Sequence, residues 1–296
     1  MTYIGEISAL SAAILWAFTS IVFTSASEKI GVIQLSLTRL ILASILLYTT
    51  IILFGYDFNI NLKQIILLSL SGIIGLIIGD TFLFKAFGMI GPRITMLIYS
   101  FNPAISALLA FLLFGEKLGW FSLIGIALTL TGISFVVSEK RTNYHHRFKI
   151  SRLGLIWAAL GAIGQAVGLI CAKGAFLEGD INGLVATFMR IASATVIFLP
   201  IAIIMGKFKN PVKKIISDKP LLKLILIGTV IGPYLGIAAS IYSIMYAKVG
   251  IASTLMSTTP IILIPLSIIF YKEKISMRSI IGTIIAVSGI SFLFFT

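Results

Sequence analysis

Apolar residues run along the chain in long blocks, and the polar residues gather in short clusters between them. The blocks cover about residues 3–25, 33–54, 65–88, 94–114, 119–138, 153–173, 183–205, 221–246, 251–270 and 276–295. Each approaches the roughly 20 residues that an α-helix needs to cross a hydrocarbon core about 30 Å thick. Membrane barrels instead require strands of about ten residues that alternate apolar with polar. Stretches such as ISALLAFLLF (105–114) show no alternation. The pattern predicts an all-α polytopic membrane protein of ten transmembrane helices. The block at 65–88 is interrupted by charge at Asp80 and Lys85.

Composition agrees. Hydrophobic residues make up 58% of the 296 and charged residues 11%, whereas a soluble domain carries about a quarter charged. Ten spans consume about 200 residues and leave no room for a soluble domain. A net charge of +13 would suggest nucleic acid in a soluble protein. Here the basic residues lie in the loops, where they set topology and meet lipid headgroups, so no nucleic-acid partner is expected. Cys171 is the only cysteine, which excludes an intramolecular disulfide and a cysteine-rich metal site. The first block lacks a basic leader and a small-residue cleavage site, so it reads as a retained span.

With Arg39 and Arg190 set aside as lying within spans, 17 of the remaining 21 basic residues fall in connections 1–2, 3–4, 5–6, 7–8 and 9–10. The other connections hold Lys63, Lys117, Lys173 and Lys248. The positive-inside rule puts the first set in the cytoplasm and both termini outside a plasma membrane.

The chain is also duplicated. Setting residue n beside n+157 aligns 94–137 with 251–294 without a gap, with 14 of 44 positions identical. The matches include Pro103 with Pro260, Glu116 with Glu273, Lys117 with Lys274, Gly125 with Gly282 and Gly132 with Gly289. Gly75 and Gly79 fall opposite Gly232 and Gly236, small-xxx-small pairs that allow helices to approach closely. Arg39 and Arg190 correspond after a small change of offset. The expected organisation is a five-helix repeat at 1–138, a basic connecting loop at 139–151 and a second five-helix repeat at 152–296. Five is odd, so the repeats run oppositely through the bilayer, the inverted architecture that secondary transporters use for alternating access.

These features resemble the drug/metabolite transporter superfamily, specifically the ten-helix EamA-like permeases. The FGEK turn (Phe114–Lys117) and its copy YKEK (Tyr271–Lys274) carry the likeness. Each follows a Pro-containing helix and precedes a Gly-containing helix that ends in ISF. The arginines of helices 2 and 7 fit too, as does KAFGMIGPRITML before helix 4. Lys272 departs from the glycine often found before the glutamate. The resemblance covers 5–295 and implies ten helices around a central cavity that moves a metabolite by alternating access, in some members an amino acid and in some with proton coupling.

Asp80 is the candidate of most interest. A charge inside the bilayer costs several kcal/mol, so it should face the bundle interior with a partner or a proton. It is read as a proton or substrate site, with a structural salt bridge as the alternative. Its counterpart is Ile237. Arg39 and Arg190 lie roughly 10–12 Å into their spans at 1.5 Å per residue. They are read first as snorkelling or packing residues, and otherwise as cations for Asp80 or a substrate carboxylate. Tyr99, Asn102 and Ser106 share a helical face beside Pro103, and Thr258 and Thr259 beside Pro260 repeat the arrangement. Prolines there mark helix breaks. These faces are candidate cavity walls, with interhelical hydrogen bonding as the alternative. Trp16 and Gln165, equivalent at an offset of 149, could also point inward, although Trp16 also suits an interfacial belt.

Glu116 and Glu273 sit in tight turns and are expected to cap the following helix. His145 and His146 lie in a basic loop without further ligands, so no metal is expected. No Walker A, H-E-x-x-H or G-x-S-x-G motif is present, so no catalytic residue, cofactor or enzyme activity is assigned. The favoured function is a secondary permease or exporter of small metabolites such as amino acids, with protons as a candidate coupling partner. A membrane-embedded lipid-handling enzyme or scramblase is the alternative. Substrate identity, direction and oligomeric state stay open.

Overall fold

Backbone amides withdrawn from water must bond within their own segment, and the described residues meet that demand with helices alone. The computed structural model describes residues 3–137, 151–259, 261–262, 266 and 277–293. Its first half contains α1 (Ile4–Ile30), α2 (Val32–Leu53), α3 (Leu62–Ser71), a π-helical segment Gly72–Gly79, α4 (Asp80–Tyr99), α5 (Asn102–Phe114) and α6 (Trp120–Val137). The second half contains α7 (Arg152–Leu177), α8 (Gly183–Ile204), a short α9 (Val212–Ser217), α10 (Lys219–Thr229), a π-helical segment Val230–Gly236, α11 (Ile237–Tyr246), α12 (Val249–Met256) and α13 (Met277–Leu293). Side-chain caps start several helices where the sequence offers them. Asn61 and Gln64 form a capping box on α3, and Ser151 caps α7.

Five helical stretches, Val32–Leu53, Leu62–Leu83, Arg152–Leu177, Gly183–Ile204 and Lys219–Tyr246, are long and apolar enough to cross a membrane. Ile4–Thr19, Asn102–Phe114, Trp120–Phe135 and Ile280–Leu293 are shorter apolar helices. Large apolar side chains face outward along them, such as Ile45, Leu112, Trp120 and Val196. A polytopic membrane protein requires such a surface, and a soluble one would not carry it.

The two halves repeat in backbone as well as in sequence. Both π segments fall at the same offset, residues 72–79 beside 230–236. Both halves break into a turn at matching places, residues 100–101 and 257–258. Packing is exchanged between the halves: α7 lies along α3, α4 and α5, while α1 lies along α10, α11 and α12. The pairs α2–α8, α5–α12 and α6–α13 close the arrangement. Equivalent glycines meet reciprocally in the last seam. A Cβ at Gly132 would stand 2.5 Å from the Gly282 carbonyl oxygen, and one at Gly125 2.9 Å from that of Gly289.

Neighbours along α7 set the chain direction. Gln64 donates to the carbonyl of Ala175, while Ile90 meets Gly154, so α3–α4 runs antiparallel to α7. Asn102 then reaches Ala162, and Phe114 lies against Gly174, so α5 runs parallel to it. The chain therefore doubles back between Ile90 and Asn102. In the second half Ala247 meets Gly5 and Thr259 reaches Ala13, the same reversal at the same offset.

Connections expected to share a membrane side touch one another. Lys29 pairs with Asp218 at 2.6 Å and Gln34 donates to the Lys207 carbonyl, joining connection 1–2 to 7–8. Asn61 donates to the Glu178 carbonyl, and Lys248 donates to that of Lys117, joining 2–3 to 6–7 and 4–5 to 8–9.

Candidate functional site

The π segment Gly72–Gly79 brings a stripe of glycine onto α7. Cβ atoms at Gly164 and Gly168 would stand 2.9 and 3.0 Å from the Cα atoms of Gly79 and Gly75. Backbones at that distance exclude side chains, so polar groups at the edge of the stripe can meet. Gln165 of α7 donates through Nε2 to the Gly75 carbonyl at 2.9 Å and to Asp80 Oδ1 at 2.6 Å. Arg39 of α2 pairs with Asp80 Oδ2 at 3.1 Å. The Asp80 carboxylate is thus held by one residue from each half. The guanidinium of Arg39 also lies over the Phe23 ring, 5.4 Å from its centroid. Roughly a sixth of the Arg39 and Asp80 side chains stays accessible, 18% and 17%.

Arg190 of α8 approaches the same centre from the other side. It is 2% exposed, and a Cβ at Gly75 would stand 2.9 Å from its Nη2. Asp80 and Tyr99 lie within its electrostatic reach. Neither arginine snorkels, because both guanidinium groups turn inward to the glycine stripe and Asp80. Snorkelling is the reading that the structure corrects.

The remaining candidates divide. Asn102 donates to the Ala162 carbonyl at 3.0 Å and accepts from Ser106 at 3.4 Å, and Thr259 donates to the Ala13 carbonyl at 3.4 Å. These two bonds occupy equivalent positions and tie each broken span to its neighbour, so both residues act as interhelical ties. Thr258 is buried and donates to the Leu255 carbonyl within its own turn. Trp16 packs on Gly236, whose Cβ would stand 2.7 Å from the indole Nε1. It belongs to the interior and not to an interfacial belt. Tyr99 ends α4, so it does not share a helix with Asn102 and Ser106 as its spacing suggests. Pro103 stands in the first turn of α5, where its missing N–H costs nothing. The break precedes it at residues 100–101, so no carbonyl is freed by the proline ring. Pro260 and Glu273 lie outside the described residues.

Glu116 caps a helix, but a different one from that expected. Its Oε2 accepts from the backbone N–H of Val249 at 2.9 Å, at the start of α12 in the other half. Gly115 adopts φ 66° at the end of α5 and turns the chain toward that helix. Lys173, which reads as a loop residue in the sequence, sits at the end of α7. Its Nζ lies 3.7 Å from Glu116 Oε1 and donates to the carbonyls of Ile244 and Ala247. A lone lysine at the end of an apolar block, opposite a lone glutamate, is the only sequence signal of this contact.

Among the described residues no group of three or more His, Cys, Asp and Glu side chains could hold a metal ion. No curated protein matches the chain. One solved structure, described as "Crystal structure of protein", superposes with a TM-score of 0.73 at 19% identity, covering 97% of this chain and 95% of its own. That likeness shows a shared fold. The model of the EamA-like transporter family matches twice, over residues 3–138 and 152–295. The chain therefore belongs to the EamA-like transporter family, within the drug/metabolite transporter superfamily.

Proposed function

We propose that the chain is a secondary active transporter of small metabolites such as amino acids, working by alternating access and coupled to protons through Asp80. In this reading ten spans form two inverted five-helix repeats around a central cavity in the plasma membrane, with the basic connections in the cytoplasm. One observation carries it. Asp80 is a carboxylate inside a span, still accessible, and bonded at once to Arg39 of the first half and Gln165 of the second.

Such a bond can couple a proton to a rigid-body change. Ionised, the carboxylate accepts from both halves and holds them in one relative position. Protonated, it loses the ion pair with Arg39 and accepts from Gln165 only as a neutral group, which weakens the tie between the halves and lets them rock about the glycine stripe.

Purified protein in proteoliposomes tests this, with a panel of radiolabelled metabolites supplied with and without a pH gradient. The wild type is expected to accumulate at least one amino acid when the gradient is imposed. Asp80→Asn should lose that accumulation at least tenfold while retaining solute exchange. Gradient-driven accumulation that survives the substitution overturns the role of Asp80, and a panel in which nothing moves overturns the carrier reading.

A further inference from the structure

The polar centre is not charge-balanced. Two guanidinium groups, Arg39 and Arg190, converge on the Asp80 region, and Asp80 is its one carboxylate among the described residues. Asp80 is committed to Arg39 and Gln165. Arg190 makes no side-chain hydrogen bond or ion pair among the described residues, and its Nε is buried without a partner. It is 2% exposed. A guanidinium offers five donors in a planar fork, and leaving such a group uncompensated in a low-dielectric interior costs several kcal/mol. None of the described residues supplies the missing acceptor. The Gly75 carbonyl beside it already accepts from Gln165. The position equivalent to Phe23, whose ring backs Arg39, is Ala172, which offers no ring. Tyr99 lies within electrostatic range of Arg190 and is partly accessible, and its hydroxyl makes no hydrogen bond among the described residues.

We propose that Arg190 binds the carboxylate of the transported solute, with the Tyr99 hydroxyl as a second donor. Resting on the carrier reading above, this assigns the substrate class as small molecules bearing one carboxylate. A single negative charge restores neutrality to a centre that carries a surplus of one positive charge. The planar fork suits the two oxygens of a carboxylate, which accept side by side. The arrangement also places the solute between the halves. Arg190 belongs to α8, and the glycine stripe under its guanidinium to the first half. The solute would complete on the Arg190 side the contact that Asp80 makes on the Arg39 side.

Binding can be measured without flux, which separates this proposal from the carrier reading. The full chain, purified in detergent, is heated in the presence of acetate, L-alanine, L-leucine, L-glutamate and succinate, each beside its methyl ester or amide. Chloride and sulfate at matched ionic strength serve as inorganic controls. At least one carboxylate is expected to raise the unfolding midpoint of the wild type by about 3 °C or more near saturation, and its ester by less than a third of that. Arg190→Gln should abolish the shift, and Arg190→Lys, which keeps the charge but not the fork, should reduce it severalfold. Tyr99→Phe should weaken the shift without abolishing it. The assignment is overturned if no carboxylate shifts the wild type, if the ester or chloride does as well as the acid, or if Arg190→Gln keeps the shift. The wild-type comparison of acid with ester decides the matter even where a variant does not fold.

Discussion

Arg39 and Arg190 occupy equivalent places in the two halves, yet one is bonded to a carboxylate and backed by a ring, while the other makes no side-chain hydrogen bond or ion pair among the described residues. The backbones around them are closely alike, with a π segment, a glycine pair, a mid-span turn and a tie from that turn to the neighbouring helix. The side chains differ where charge is concerned. Asp80 faces Ile237 across the repeat, Gln165 faces Trp16, and Gly72 faces Thr229. Duplication built a symmetric frame, and a few departures from symmetry placed the charge within it. A frame of two identical halves would hold no preferred pairing, whereas this one commits the one central carboxylate among its described residues to one arginine.

The largest expected effect falls where the halves approach most closely. A Cβ at Gly72 would stand 2.1 Å from the backbone oxygen of Arg190, a contact that neither helix can relieve by turning a side chain. Gly72→Ala should destabilise the protein by about 3 kcal/mol or more through overpacking, seen as loss of monodisperse protein in size-exclusion chromatography. The equivalent Thr229 has room for a whole side chain, and its hydroxyl is buried without a partner. Thr229→Gly should therefore cost no more than about 1 kcal/mol, because removing an unsatisfied hydroxyl offsets part of the lost packing. Equal effects at the two sites would mean that the halves approach one another symmetrically.

Next come the arginines, tested without any solute. Arg39→Gln strips Asp80 of its ion pair, which should cost about 2–3 kcal/mol, toward the low end because the pair is only partly buried. Arg190→Gln removes a buried charge that makes no ion pair among the described residues, and should leave stability unchanged or raise it by up to a few kcal/mol. Thermal unfolding in detergent at low anion concentration measures both. A loss at Arg190 as large as that at Arg39 would show that Arg190 is held as firmly as its counterpart, and the contrast between the halves would vanish.

Much of the frame was legible because hydrophobic blocks, glycine spacing and a fixed offset are properties of the chain itself. Gly75 and Gly79 read as close-approach residues and prove to be so. The paired glycines of α6 and α13 read only as marks of the duplication, and their reciprocal contacts are visible only in space. The charged centre was legible in part. Asp80 stood out because an acid within a span demands an explanation, and Arg39 was a candidate for its partner. Which of two equivalent arginines it takes depends on distances between helices far apart in sequence, and no periodicity encodes them. Glu116 had the right kind of role on the wrong helix for the same reason. A turn glutamate can reach the next helix or one brought alongside, and Lys173 makes the second choice favourable. Asn102 and Thr259 looked like cavity residues because polar side chains in a span suit a cavity wall or an interhelical bond equally well.

The smallest expected effects separate the two ends of the molecule. At one end Glu116 and Lys173 are largely buried, with side chains 14% and 13% exposed. Glu116→Gln keeps an acceptor for the Val249 N–H but gives up the charge facing Lys173 and should cost about 1 kcal/mol. At the other end Lys29 and Asp218 are 42% and 31% exposed, where water and salt screen an ion pair nearly completely. Asp218 also accepts from the Leu221 N–H at the start of α10. The Lys29 hydrogen bond, with that backbone bond, holds its carboxyl below the usual range. A depressed carboxylate contributes its stability in full above the unfolded value of about 3.9 and loses it as pH falls through the lower folded value. Asp218→Asn should thus lower the thermal midpoint slightly near neutral pH, less so in high salt, and not at all in acid below the folded value. Glu116→Gln should lower it more, and salt should matter less because that pair is shielded from solvent. If salt erased both effects alike, the Glu116 end would be as open to water as the Asp218 end, and the burial that distinguishes them would have no energetic consequence.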